Sequence, residues 1–217
     1  MDFETARRNM IESQIRPNKV TDSRVLAAMA EIPREKFLPL SEVARAYVDE
    51  DVPVGHGRYL MEPMVIARLL QALNVRNTDA GLLVGAGTGY SAALLGRLAG
   101  AVVAIEPDRA MGDMAEAVLA DLGIANVSIL DRPFDQGCAE QGPYDVVLFD
   151  GAVARIPDAI IAQLSDGGRL AAVERPGGWM GKAILVTRHG NGVTRRPVFD
   201  AAIPHLPEME EEAGFVF

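Results

Sequence analysis

The sequence predicts an α/β chain: a doubly wound, mostly parallel sheet with an N-terminal helical cap and a C-terminal antiparallel hairpin. Three observations predict it. Short apolar runs alternate with helically spaced segments between residues 63 and 173, the pattern of strands joined by right-handed helical crossovers. One apolar run breaks into the alternating turn Gly85-Ala86-Gly87-Thr88-Gly89 and reopens as a helix. The last two strand-like runs are joined by His189-Gly190-Asn191-Gly192, and Asn-Gly is a hairpin signal.

Taken in order, residues 3 to 15 have helical spacing through Phe3, Ala6, Met10 and Ile11, followed by a turn at Arg16-Pro17-Asn18. A second helix starts at the Thr21-Asp22 cap and is stopped by Pro33. An irregular connection to Tyr47 completes the cap. The glycine-, proline- and charge-rich stretch from Asp49 to Pro63 reads as a loop, and Pro63 opens a helix with an apolar stripe of Val65, Ile66, Leu69, Leu70 and Leu73. Residues 1–62 are thus a helical cap and loop, and 63–217 the core, in one compact unit.

The core strands are expected at Gly81–Val84, Ala101–Ile105, Val127–Leu130, Tyr144–Asp150 and Arg169–Val173. A helix spans Arg109 to Leu122 with Gly123 as its stop, and another spans Pro157 to Leu164. The hairpin uses Lys182–Thr187 and Gly192–Val198. The acidic tail beyond it reads as solvated, with Phe215-Val216-Phe217 free to dock.

Composition narrows function. In 217 residues, 49% hydrophobic and 24% charged, one domain can bury a full core. A formal net charge of -9 disfavours gathering phosphate backbones, so no nucleic-acid partner is expected. With no apolar run of membrane length and no apolar signal core in MDFETARRNM, no membrane association is expected and a cytoplasmic location is. Cys138 is the only cysteine and the three histidines are scattered, so no metal site is predicted.

The chemistry centres on the glycine turn. Gly85, Gly87 and Gly89 let a ligand approach the main chain without meeting a Cβ. Thr88 and Tyr90 complete the turn, and the helix that follows presents its positive end. Glu106 ends the next strand about 20 residues beyond the first glycine, where a carboxylate accepts hydrogen bonds from ribose hydroxyls. The nicotinamide fingerprint wants glycine at the sixth position, which is Tyr90 here. G-x-G-x-G with a terminal acid instead resembles the nucleotide half of an S-adenosylmethionine-dependent methyltransferase, with a dehydrogenase as the runner-up at this site. Asp150 closes the fourth strand, at the edge where open parallel sheets place their ligand crevice.

The segments VLAAMAEIPREKFLP, AYVDEDVPVGHG, LLVGAGTGYSAALLGRLAG, VVAIEPD and PYDVVLFDGAVARIPDAIIAQLSDGGRLAAV together resemble the protein-L-isoaspartate O-methyltransferase family over about residues 20 to 173. The resemblance implies the methyltransferase fold, S-adenosylmethionine as cofactor, and methylation of a stray isoaspartyl carboxylate on a protein or peptide, the first step of protein repair. The family's substrate-loop serine corresponds to Met61, a thioether that donates no hydrogen bond. Arg58 and Tyr59, with His56 nearby, are the candidate replacements for carboxylate binding, because arginine grips a carboxylate through two bonds. Two further departures touch the cofactor. The acid usual two residues before the first glycine is Leu83, and the Gly-Asp-Gly after the third strand aligns to Arg132-Pro133-Phe134, leaving Asp131 and Asp135 as flanking acids. The implied cofactor set is Gly85, Gly87, Thr88, Gly89, Tyr90, Glu106, Asp131 and Asp150. A binding protein without activity on the same fold, and a small-molecule methyltransferase, remain as alternatives. Oligomeric state is not legible.

Overall fold

The structure, a computed structural model, describes residues 2–210. The docking question about Phe215 to Phe217 therefore lies outside the described residues. The cap begins with α1 (Phe3–Met10), whose N-cap Asp2 accepts from the Thr5 amide at 3.0 Å. It runs on through a wide turn at Ile11–Ile15 and closes at Lys19 in the left-handed region. The second helix, α2 (Ser23–Glu31), is capped by Asp22 and ends where Pro33 follows. Leu26, Met29 and Ile32 turn inward from it.

The stretch expected as a loop contains a two-stranded sheet instead. Val52–Gly55 (β1) pairs antiparallel with Arg58–Leu60 (β2), with Val52 opposite Leu60 and Pro53 opposite Tyr59. Val52, Val54, Arg58 and Leu60 alternate inward, a period of two that the glycine and proline content masked. Gly55, His56 and Gly57 turn the hairpin with three consecutive positive φ angles of 94°, 54° and 70°.

Beyond α3 (Pro63–Leu73) come β3 (Ala80–Val84), α4 (Tyr90–Leu98), β4 (Ala101–Ile105), α5 (Arg109–Asp121), β5 (Val127–Leu130), β6 (Tyr144–Val153), α6 (Asp158–Ile161), β7 (Leu164–Glu174), β8 (Gly181–His189) and β9 (Gly192–Ala201). The strands form one sheet in the order β5-β4-β3-β6-β7-β8-β9, parallel up to β7 and antiparallel through the last two. The expected edge hairpin is therefore present. Strand order reverses at β3, between β4 and β6, and such reversals open a ligand crevice at the carboxyl ends. Val84 lies level with Ile105 and with Phe149. Gly85, Glu106 and Asp150, the next residue on each strand, therefore emerge side by side.

Helices were expected on both faces, and the two faces differ in cover. Leu83, Val102, Ala104, Leu148 and Val173 pack under α3, α4, α5 and the cap. Leu82, Val84, Ile105, Phe149 and Leu170 meet Phe134, Ile156, Ile160 and Leu206, which come from loops and from the single turn α6. The helix expected over Pro157 to Leu164 is cut short because Leu164 is drawn into the sheet opposite Tyr144. Gln163 then ties the neighbouring loop down, accepting from the Cys138 amide at 2.9 Å and donating to the Gln136 carbonyl at 2.7 Å. β6 also outlasts its expected end, because the tail pairs with it: Ala152 donates to Pro204 and accepts from Leu206, both at 2.8 Å. The early tail is thus packed, with Ile203 and Leu206 buried, while Glu208 and Glu210 are exposed.

Candidate active site

The glycine turn follows β3 and is tied to the end of β4 by two hydrogen bonds to the Ile105 carbonyl, from the amides of Gly85 and Ala86, each at 3.0 Å. Gly85, Gly87 and Gly89 have φ of 90°, 53° and 100°, which side chains rarely adopt. Thr88 is buried at the start of α4. Tyr90 is buried as well, but its ring lies in the cap, edge-on to Phe37 and beneath the Arg34 guanidinium. The crevice thus receives backbone from this residue rather than ring.

Glu106 is buried, and its Oε2 accepts from the Gly87 amide at 2.7 Å. The same oxygen takes a donor from Arg58, which reaches in from β2. Arg58 Nη2 also donates to the Gly85 carbonyl at 3.1 Å, and the guanidinium carbon lies 5.3 Å from the Phe134 ring centroid. His56, at the hairpin tip, holds Asp108 at 2.5 Å. Asp108 caps α5, and its carboxyl sits below the usual range, first because the Met111 amide donates to it and then because of His56. Tyr59 is 41% exposed on the outer side of the hairpin. The three candidate carboxylate binders are therefore only partly together: Arg58 turns inward, Tyr59 stands half-exposed beside a small cavity that it shares with Arg58, and His56 lies on the α5 cap. Met61 is buried among apolar side chains.

Asp150 ends 7% exposed, and burial pushes its carboxyl up to about 6 against the opposing pull of Arg58 and the Ser91 hydroxyl. Its Oδ1 has no hydrogen-bond partner among the described residues. Across the mouth, Asp51 accepts from the Glu62 amide at 2.8 Å, and burial raises it too. Glu62 rises to about 7, mainly by burial and then through Asp51 and Asp49. Asp131 is exposed, beside a groove of about 190 Å³ that also borders Glu106. Leu83 points to the cap face, and Pro133 and Asp135 are exposed.

Three residues carry weight here that sequence reasoning did not assign. Arg34 is fully buried and donates to Ala46 at 2.7 Å and Met61 at 2.6 Å, so it holds the hairpin base through main-chain carbonyls. Phe134 and Leu206 roof the glycine turn. The signal for Arg34 was an arginine flanked by Ile32 and Phe37; Leu206 had none, because contacts across a tail follow no local period.

A nucleoside cofactor fits this frame in two respects and is crowded in a third. The backbone is bare at Gly85, Gly87 and Gly151, and Glu106 supplies the acid. A Cβ on Gly85 would lie 2.7 Å from Leu206 and 2.9 Å from Arg58, and one on Gly151 would lie 2.8 Å from Leu206. The space over the turn is thus held by two of the chain's own side chains, with a small cavity of about 10 Å³ between Arg58, Asp150, Gly151 and Leu206 on one side and the groove beside Asp131 on the other side of Glu106.

The strand order, the glycine cradle and the acid at the end of β4 define an S-adenosylmethionine-dependent methyltransferase. The sequence profile of the family described as protein-L-isoaspartate(D-aspartate) O-methyltransferase matches residues 5–194, and the chain belongs to that family. The protein-L-isoaspartate O-methyltransferase of Koribacter versatilis is 40% identical over 168 residues, covering 77% of this chain and 76% of its own. That of Roseiflexus castenholzii is 37% identical over 196 residues, covering 90% and 88%. A solved protein-L-isoaspartate O-methyltransferase superposes with a TM-score of 0.79 at 25% identity, covering 92% of this chain and 65% of that one. A Plasmodium falciparum structure described as a putative enzyme of this kind, in complex with S-adenosyl-L-homocysteine, has the same fold at a TM-score of 0.77 and 18% identity, covering 95% and 98%.

Proposed function

We propose that the protein methylates the free carboxylate of an isoaspartyl residue in a protein or peptide, using S-adenosylmethionine. The observation that carries this reading is the juxtaposition of Gly85, Gly87 and Glu106 at the switch point of a chain that belongs to the family. The bound cofactor supplies an electrophilic methyl on a positive sulfonium. The acceptor carboxylate is already an anion, so no strong base is needed, and rate comes from alignment in a water-poor pocket. Gly85, Gly87 and Gly89 offer main chain to the cofactor, Glu106 takes the ribose hydroxyls, and Asp150 lines the far wall. Arg58, Tyr59 and His56 remain the groups proposed for the acceptor carboxylate. No helix among the described residues is long and apolar enough to cross a membrane.

A second reading, a protein that binds partners on this fold without transferring methyl, is favoured by one observation: Arg58 and Leu206 fill the cradle. Incubation with methyl-labelled S-adenosylmethionine and a short L-isoaspartyl peptide separates the two. Base-labile label on the isoaspartyl peptide, and none on its normal aspartyl counterpart, is the expected result. Label on neither, in a folded protein, would leave the binding reading.

A further inference from the structure

Arg58 has a partner that the proposed cofactor also needs. Its guanidinium is 4% exposed and donates to Glu106, the acid otherwise available to ribose hydroxyls. It also donates to Gly85 and comes within 3.5 Å of where a Cβ on Gly87 would stand, so it spans the turn that a nucleoside would lie on. Together with Leu206, 2.7 Å from where a Cβ on Gly85 would stand, it leaves no open main chain there for a ligand to lie against. Arg58 thus competes with a nucleoside for the turn and for Glu106 Oε2, leaving of that carboxylate only Oε1, which the Asp108 amide approaches at 3.4 Å.

Once displaced, Arg58 has a short list of places to go. A guanidinium left buried without an acceptor is strongly unfavourable. The crevice mouth is lined by Arg58, Tyr59, Met61 and the acids Asp51 and Asp150. Asp51 is already committed to the Glu62 amide, whereas Asp150 keeps one oxygen unpartnered and already feels the Arg58 charge, so it offers the displaced guanidinium a first acceptor. An incoming carboxylate at the same mouth supplies a second anion. A move of Arg58 requires none of the main sheet, because the strand that bears it belongs to a separate two-stranded sheet. β2 is a three-residue strand paired only with β1, its tip is held by the exposed His56–Asp108 contact, and its base is held by Arg34 through main-chain carbonyls.

We propose that Arg58 is a two-position residue that couples the two ligands. Without cofactor it neutralises Glu106 and, with Leu206, closes the cradle. When ribose takes Glu106, Arg58 turns to the mouth and holds the acceptor carboxylate, so each ligand tightens the other. This rests on the methyltransferase reading above. Arg58 thereby acts as a specificity device, because a neutral acceptor would not stabilise the open position.

The test is calorimetric titration with S-adenosylhomocysteine, with and without a saturating short peptide carrying one L-isoaspartyl residue. The wild type is expected to bind S-adenosylhomocysteine about tenfold tighter when the peptide is present, the usual scale of coupling between sites. Arg58→Gln is expected to bind it about tenfold tighter than wild type without peptide, because the competing closed state is gone. The variant is also expected to lose the effect of the peptide. A residue that merely stabilised the fold would weaken both ligands instead. An absence of coupling in the wild type needs no variant and would overturn the proposal even if Arg58→Gln is unstable. Equal affinities in all four titrations would overturn the proposal and leave the methyltransferase standing. An absence of heat up to millimolar S-adenosylhomocysteine, with peptide present, would overturn both.

Discussion

Asp150→Asn measures the energetic strain stored at the strand ends. The Asp150 carboxyl is buried, keeps one oxygen without a partner, and is raised from 3.8 to about 6 by that burial. The folded state therefore holds this proton more tightly than the unfolded chain does. Stability from this group is fully present below about pH 4 and is lost as the pH rises toward 6. Two powers of ten in proton affinity at about 1.4 kcal/mol each give a penalty of at most about 3 kcal/mol at pH 7.5, against about 0.5 kcal/mol at pH 4. An amide does not titrate and keeps an acceptor for Ser91. Urea unfolding of wild type and Asp150→Asn at pH 4 and 7.5 should therefore show the variant gaining about 2 kcal/mol on the wild type between the two conditions. Glu62, Asp51 and Asp49 are raised in both proteins, so their titration cancels in the comparison. A difference between the two proteins that is the same at both pH values would refute the reasoning, because it would mean that the buried carboxylate carries no ionisation penalty.

Other perturbations test other parts of the site. Gly89→Ala places a Cβ at a φ of 100°, 3.0 Å from the Ala115 Cβ and 3.2 Å from its Cα, so thermal unfolding should show a loss of about 2 kcal/mol or more. Arg169→Met removes the cation paired with Asp79, 2.6 Å away and 6% exposed, and should cost about 3 kcal/mol by denaturant titration because it leaves a buried carboxylate held only by the Arg76 amide. Met61→Ser restores a hydroxyl at the family's serine position. It should raise isoaspartyl methylation about tenfold while costing about 2 kcal/mol of stability from the emptied core; unchanged turnover would show that the hydroxyl has no role in this chain.

The sequence by itself determined the alternation of strand and helix, the glycine turn, the acid at position 106 and the edge hairpin. These are legible because periodicity, glycine freedom and turn chemistry act over a few neighbouring residues. Glu106 could be matched to the turn because the strand–turn–helix–strand unit fixes its place about 20 residues on. The β1–β2 hairpin was hidden by the composition that makes its tight turn possible, and the length of the helix before β7 was decided by pairing of Leu164 with Tyr144. Only the tertiary structure decided which way Arg58 points. A side chain on a three-residue strand can face either side, and burial beside Glu106 was settled by a carboxylate 48 residues away. Leu206 reached Gly85 and Gly151 for the same reason: the tail is placed by backbone pairing with Ala152, a contact across more than fifty residues that leaves no trace in local spacing. Local pattern thus specified the cradle, and long-range packing specified what lies in it.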